Sequence, residues 1–455
     1  MEELEEVRYP WVSTLEFWGG GYWGEIGAVH LLLGWLFILW LCKRTLTMSR
    51  IPLEFRLAVL YFALTVFTNP AFNQGGLNIN ELLGVSALLV VLAKGRMKLG
   101  FGASPLSKGL LIVFGVSFIH VLLTWLLYPD LTPNWGIFAI KLAINFKILV
   151  LAGNLAIVGS LISRGLGIDV IIRTCLLAGT FALLMYLVQI GVSITGTWPY
   201  GTFIDAGFVG IPSFGSVSIE RGHFGKFMTP YYPFFLFALL VWRARWRFAL
   251  FFLIMTINFS ASSQIFFLCS LLLTLFMFRR MLGIAHYIGF VLMIMPIIIY
   301  RDVFEGIIDK IYQIAIIGDE SQGGGRSFGV FVQYLQTYPF GMGYSGSTLR
   351  IAPMLPEINA AHFAFVTQYS VLALPLVAGF LLLVYRAARA GLRIELVGRC
   401  MTVGVLMSVI IFFTDILWFV PMIWLSMEIV FSLSRRTVNT YSNKPVPGAL
   451  AAPAH

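Results

Sequence analysis

The sequence predicts an all-α, polytopic integral membrane protein with about 12–14 transmembrane helices. Three observations predict it. Of 455 residues, 59% are hydrophobic and 11% charged, with a mean hydropathy of +0.87; a soluble domain holds about 45–50% apolar and about 25% charged residues. Apolar runs recur along the whole chain, each able to cover a ~30 Å hydrocarbon core with some tilt or flanking residues. The basic residues fall in alternate loops, the pattern left by membrane insertion.

The apolar runs, in order, are 26–42, 57–67, 82–93, 109–127, 137–161, 170–192, 231–242, 248–259, 265–278, 284–300, 363–385, 400–413 and 416–433. The start, Met1-Glu2-Glu3-Leu4-Glu5-Glu6, lacks the basic n-region of a cleavable signal. Cys42, Cys175, Cys269 and Cys400 lie in or at the ends of spans, which reads as buried or reduced thiols. We read residues 1–434 as one transmembrane domain and 435–455, ending in Pro/Ala-rich sequence, as a disordered cytoplasmic tail.

A net charge of +10 raises the question of a nucleic-acid partner, and its distribution argues against one. Twenty-two of the 31 basic residues lie in loops 43–56, 94–108, 164–173, 243–247, 279–280 and 386–399 and after 434. The positive-inside rule places those loops and the C-terminus in the cytoplasm and the acidic N-terminus outside. Two long external loops follow, 193–230 and 301–361. Loops of that length usually serve function.

The second loop contains "GDESQGGGRSFGVFVQYLQTYPFGMGYSGS" at 318–347. It is no phosphate-binding P-loop, since no Lys-Ser/Thr pair follows the glycines. Arg326 instead offers a fork of donors suited to phosphate, although a solvated loop arginine has the same appearance. Apolar residues at 328, 331, 332, 335 and 338 predict an interfacial amphipathic helix stopping before Pro339. In the first loop Arg221, His223 and Lys226 stand within six residues, a candidate anion site on a face where basic residues are scarce. His362 precedes the run from Phe363, at the mouth of any central cavity. "NFSASSQIFF", 258–267, is a polar break, with Ser260, Ser262, Ser263 and Gln264 read as cavity wall or helix caps. Lys141 is placed to snorkel outward. Lys147, about two turns deeper, is read as reaching the cavity or pairing with Asp415 or another buried acid. No metal-ligand spacing is present.

The order of these features resembles the O-antigen ligase/polymerase superfamily over residues 170–385: Arg221, the Ser-rich break, Arg326, "YPFGMGYSGS" and then His362. The resemblance implies a GT-C-like fold and action on undecaprenyl-diphosphate-linked glycans at the periplasmic face of the inner membrane. It further implies that Arg221 and Arg326 hold the lipid diphosphate and that His362 acts on the acceptor hydroxyl. Lys226 is added as a diphosphate ligand, with His223, Gln264, Arg350 and Lys147 as candidate cavity residues. Gln264 stands where members often carry an arginine, so one cation is missing, and Lys226 or Arg350 is the substitute. Phe363 follows His362 where ligases often have Asn, which favours a polymerase; the Arg-x10-Gly pattern of some polymerases is absent. The implied reaction is metal-independent, cofactor-free inverting glycosyl transfer between lipid-linked donor and acceptor glycans, among membrane lipids and with a chain-length regulator as a further partner. An O-antigen ligase acting on lipid A-core and a flippase of lipid-linked glycan are the alternatives.

Overall fold

The computed structural model describes residues 28–68, 73–74, 77–95, 104–129, 135–194, 215–218, 221–258, 261–282, 287, 291, 336–341, 368–414 and 420–442. Within them the chain is helical except for a minute antiparallel hairpin, β1 (Asn73–Gln74) with β2 (Leu77–Asn78). The helices are α1 (Ala28–Leu46), α2 (Leu53–Ala63), α3 (Ile79–Ala93), α4 (Pro105–Leu127), α5 (Trp135–Ser163) and α6 (Ile168–Ile194). They continue as α7 (Arg221–Met228), α8 (Tyr232–Leu240), α9 (Arg245–Ile257), α10 (Ala261–Phe278), α11 (Ala373–Arg393), α12 (Leu396–Thr414) and α13 (Pro421–Ser442).

Local chemistry explains the boundaries. Ser104 caps α4, its hydroxyl accepting from the Ser107 N–H at 2.9 Å, with Pro105 in the first turn where it sacrifices no helical bond. The Glu81 carboxylate reaches back to the Asn78 N–H at 3.2 Å at the start of α3. Between α7 and α8 a single 3-10 turn, Thr229–Tyr231, carries Pro230, and Pro233 opens α8; the pair is one helix broken in the middle.

Two groups of helices make the bundle. In one, α5 touches α2, α3, α4 and α13. In the other, α12 touches α8, α10, α11 and α13. Helix α13 joins them, and small residues permit close crossings: a Cβ on Gly404 would lie 2.5 Å from Ser426 Oγ. The outward surfaces are apolar. Phe276, Leu126 and Leu374 are 77%, 74% and 73% exposed, a surface that water disfavours and lipid tolerates. Among the described residues four helical segments are long and apolar enough to cross a membrane: Pro105–Leu127, Lys141–Ser163, Ile168–Gly191 and Ser370–Arg393.

Two boundaries and one side-chain placement differ from the sequence reading. Helix α13 runs through Ser442, past the domain end placed at 434. In the polar break α9 ends at Ile257 and α10 starts at Ala261, so Ser262, Ser263 and Gln264 are already helical, and Ser260 lies outside the described residues. Of the two in-span lysines, Lys141 departs from the sequence reading, and Lys147 takes an acid partner other than the one named. Lys141, placed at the outer interface by the sequence, is 0% exposed, whereas the Lys147 side chain is 30% exposed and bonds Glu81 Oε1 at 2.7 Å. The side of α5 that faces α3 and α4 decides this, and apolar periodicity does not report it.

Candidate functional site

Most of the basic loop residues gather at one end of the bundle. There the Lys94 ammonium meets Glu54 at 2.6 Å, and the Arg436 guanidinium lies against Gly165. The opposite end carries what the structure describes of the two long loops, and two arrangements stand out.

The first surrounds the glycine turn of "YPFGMG". Residues 336–337 are helical and Pro339 follows in a turn; residues 328–335 of the expected amphipathic helix lie outside the described residues. Gly341 N–H closes the turn on the Tyr338 carbonyl at 2.8 Å. His120 of α4 bonds the Phe340 carbonyl through Nε2. A carbonyl only accepts, so the proton resides on Nε2. The Phe340 N–H points to the Tyr128 hydroxyl at 3.4 Å, and the Tyr128 and Tyr338 rings meet edge to face at 5.1 Å. Gly341 has φ +87°, and a Cβ there would lie 2.2 Å from the Gln368 carbonyl oxygen. Gln368 and Tyr369 are buried beside it, and the Tyr369 hydroxyl bonds Ser117 of α4. Ser370 then adopts a left-handed φ of 46° to enter α11. Lys141 of α5 lies close enough for its charge to act on His120.

The glycine turn is thereby fixed to α4 and to the chain entering α11, six residues beyond His362. His362, Arg326 and Arg350 lie outside the described residues, as does Asp415. His120, Ser117 and Tyr369 were missed by sequence reasoning. For His120 and Ser117 the signal is a polar stripe, Ser117-x-x-His120-x-x-x-Thr124, on one face of an otherwise apolar helix.

The second arrangement is α7 on α10. The 215–218 segment leading to α7 is fastened by side chains. Ser216, with φ 53°, donates its N–H to Gln189 Oε1 at 2.8 Å and its hydroxyl to the Ala182 carbonyl at 2.6 Å. Ser218 donates to the Val66 carbonyl at 2.8 Å. Phe224 of α7 is buried and stacks on Tyr186 at 5.2 Å, and the Thr229 hydroxyl bonds the Gly225 carbonyl at 2.8 Å. Helix α7 packs against α10. The structure therefore places the backbone of Arg221 and His223, and the half-buried Lys226, on a helix adjoining the one that carries Gln264. Lys147 stays with Glu81, between α5 and α3.

Besides Glu54, a second buried acid lies towards the basic end. Glu428 of α13 is 0% exposed and accepts from Ser104, from Ser432 at 2.8 Å and from Arg435 Nη2 at 3.3 Å. Among the described residues no group of three His, Cys, Asp or Glu side chains is placed to hold a metal ion. No protein-family model, no curated protein and no solved structure matches this chain.

Proposed function

We propose that this chain is a GT-C-like, polytopic inner-membrane glycan polymerase. It joins undecaprenyl-diphosphate-linked repeat units at the periplasmic face. The observation that carries the reading is the packing of α7, with Arg221, His223 and Lys226, against α10, with Gln264. Two polar motifs separated in sequence and embedded in apolar chain stand on neighbouring elements, and one of them begins a broken helix. Irregular backbone at such a place is tolerated where it is buried in protein or lines a wet cavity.

The chemistry follows from charge. When the acceptor hydroxyl attacks the anomeric carbon, the carbon–oxygen bond to the lipid diphosphate breaks and negative charge grows on the leaving diphosphate. Arg221, Arg326 and Lys226 stabilise that charge, which needs no metal when the donors are preorganised. His362 takes the acceptor proton, and the configuration inverts. His120 and Gln368 act at a distance, by holding a glycine turn within the loop that contains Arg326.

The test is a reconstituted reaction of purified protein with a lipid-linked repeat unit, read as a glycan ladder on a gel. Wild type yields a ladder, and Arg221→Ala and Arg326→Ala each lower the rate at least a hundredfold. Loss of one preorganised donor costs about 10²–10³ in rate. Ladders of wild-type intensity from both variants overturn the reading, and product formed only after addition of lipid A-core makes the protein a ligase.

A flippase is the second reading, and two observations favour it. The α7–α8 break is of the kind transporters use at a substrate site, and the buried Glu428 cluster gives the far end polar machinery of its own. A repeat unit supplied already on the outer face separates the two readings: a polymerase consumes it, a flippase does not.

A further inference from the structure

A cleft of about 270 Å³ opens between α1 and α6 at the basic end, away from the polar site. Leu41, Arg44, Thr45, Met48, Asp169 and Arg173 are among its lining residues. The two arginines are held by aromatic rings: the Arg44 guanidinium lies 5.3 Å from the Trp40 ring and that of Arg173 lies 5.6 Å from Trp242. Neither forms an ion pair among the described residues. Thr45 is 1% exposed and its hydroxyl has no hydrogen-bond partner. Three other buried helical threonines bond back one turn, Thr124 to His120, Thr274 to Ser270 and Thr402 to Gly398, whereas Thr180 of α6 is unpartnered like Thr45. A dry, unpartnered hydroxyl facing a cleft with two guanidinium groups is a group awaiting an acceptor.

We infer that this cleft binds the phosphodiester headgroup of a membrane glycerophospholipid on the side of the basic loops. The shared chemistry is phosphate oxygen, and three features favour the lipid over free phosphate. Two arginines against Asp169 leave one net positive charge, matched to a monoanionic phosphodiester. A volume of about 270 Å³ holds a headgroup and not the whole lipid. Leading from the cleft along α1, Leu32, Leu36, Leu39 and Trp40 follow helical spacing and are 57%, 52%, 61% and 45% exposed, an apolar track for an acyl chain. Basic pockets between spans on the cytoplasmic side are suited to such headgroups.

The inference rests on the membrane-spanning part of the proposed function and not on its glycan chemistry. The experiment is a lipid titration of the purified full chain in detergent, counting retained lipids by native mass spectrometry. Phosphatidylglycerol, diacylglycerol and inorganic phosphate are the probes. Wild type retains one phosphatidylglycerol that diacylglycerol and millimolar phosphate do not displace. The Arg44→Gln/Arg173→Gln double variant weakens retention about thirtyfold, as loss of two cation–headgroup contacts requires. Thr45→Val, nearly isosteric, weakens it severalfold, and Arg245→Gln, an exposed arginine at the same end, leaves it unchanged. Equal retention by the double variant, equal retention of diacylglycerol, or displacement by phosphate overturns the inference. Extraction of the chain into buffer without detergent sinks the membrane reading instead, so the two failures are distinguishable.

Discussion

Replacing Gly341 by alanine is the sharpest test of the docked glycine turn. Two penalties add. At φ +87° an L-residue meets left-handed backbone strain of about 1–2 kcal/mol. The new methyl would also lie 2.2 Å from the Gln368 carbonyl oxygen, a backbone atom that cannot swing aside. The turn must therefore leave its seat, giving up the His120–Phe340 bond, itself about 0.5–1.5 kcal/mol. The expected loss is about 2–3 kcal/mol, which lowers the docked population 30- to 150-fold. A matched control is Gly115→Ala in α4, where the methyl meets nothing within 4 Å; there helix propensity predicts a gain of up to about 1 kcal/mol. The assay is thermal denaturation of both detergent-solubilised variants at one scan rate, with glycan transfer measured alongside. Gly341→Ala should melt lower and lose transfer, and Gly115→Ala should match or exceed wild type. A Gly341→Ala variant that melts and turns over like wild type would show that the turn is not seated on Gln368 and α4, and the positioning role given to His120 falls with it.

Two further predictions concern polar contacts between helices. A methyl on Gly159 would lie 1.9 Å from Glu428 Oε1, so Gly159→Ala should cost about 1–3 kcal/mol by displacing a carboxylate held by Ser104, Ser432 and Arg435. In a Glu428→Ala background the same change should cost far less, and strictly additive melting shifts would refute the contact. For Lys147 and Glu81, a double-mutant cycle to methionine and glutamine should give a coupling of no more than about 1 kcal/mol, because the lysine is partly exposed. A coupling of several kcal/mol, read from the same denaturation assay, would mean that the pair is drier than its exposure implies.

What the sequence makes legible is whatever depends on the chain's own local chemistry. The break after Ile257 follows from Asn258 and Ser260 interrupting apolar runs, and the helix end before Pro339 follows from proline's clash with the preceding turn. The helical architecture follows from composition. The partner of each polar side chain does not. In water a helix advertises its buried face by an apolar stripe, but α4 and α5 are apolar over most of their surface, so apolar periodicity cannot tell the side facing protein from the side facing lipid. That is why Lys141 reads as an interfacial residue yet is buried, and why the stripe of Ser117, His120 and Thr124 did not name its partners. Lys147 finds Glu81 sixty-six positions away in sequence, a pairing set only when α3 and α5 meet.

The choice between polymerase and flippase turns on how the two polar ends are built. The polar motifs singled out in the sequence lie mostly in the two external loops and at their edges. The Glu428 cluster stands apart from them, because a carboxylate with 0% exposure lies towards the basic end. Its construction nevertheless differs from that of the other end. Both Glu428 oxygens are engaged, by two hydroxyl groups and Arg435, and Gly159 leaves no room beside it. A gate must exchange partners as it opens, and each broken contact to a buried carboxylate costs more than one to water. Saturated contacts and close packing are properties of a fixed joint between α4, α5 and α13. At the opposite end the described loop pieces, 215–218 and 336–341, are seated by hydrogen bonds on neighbouring helices, and a helix is broken at Pro230. A bundle locked at one end and assembled from docked turns at the other suits chemistry on one side of a membrane better than alternating access.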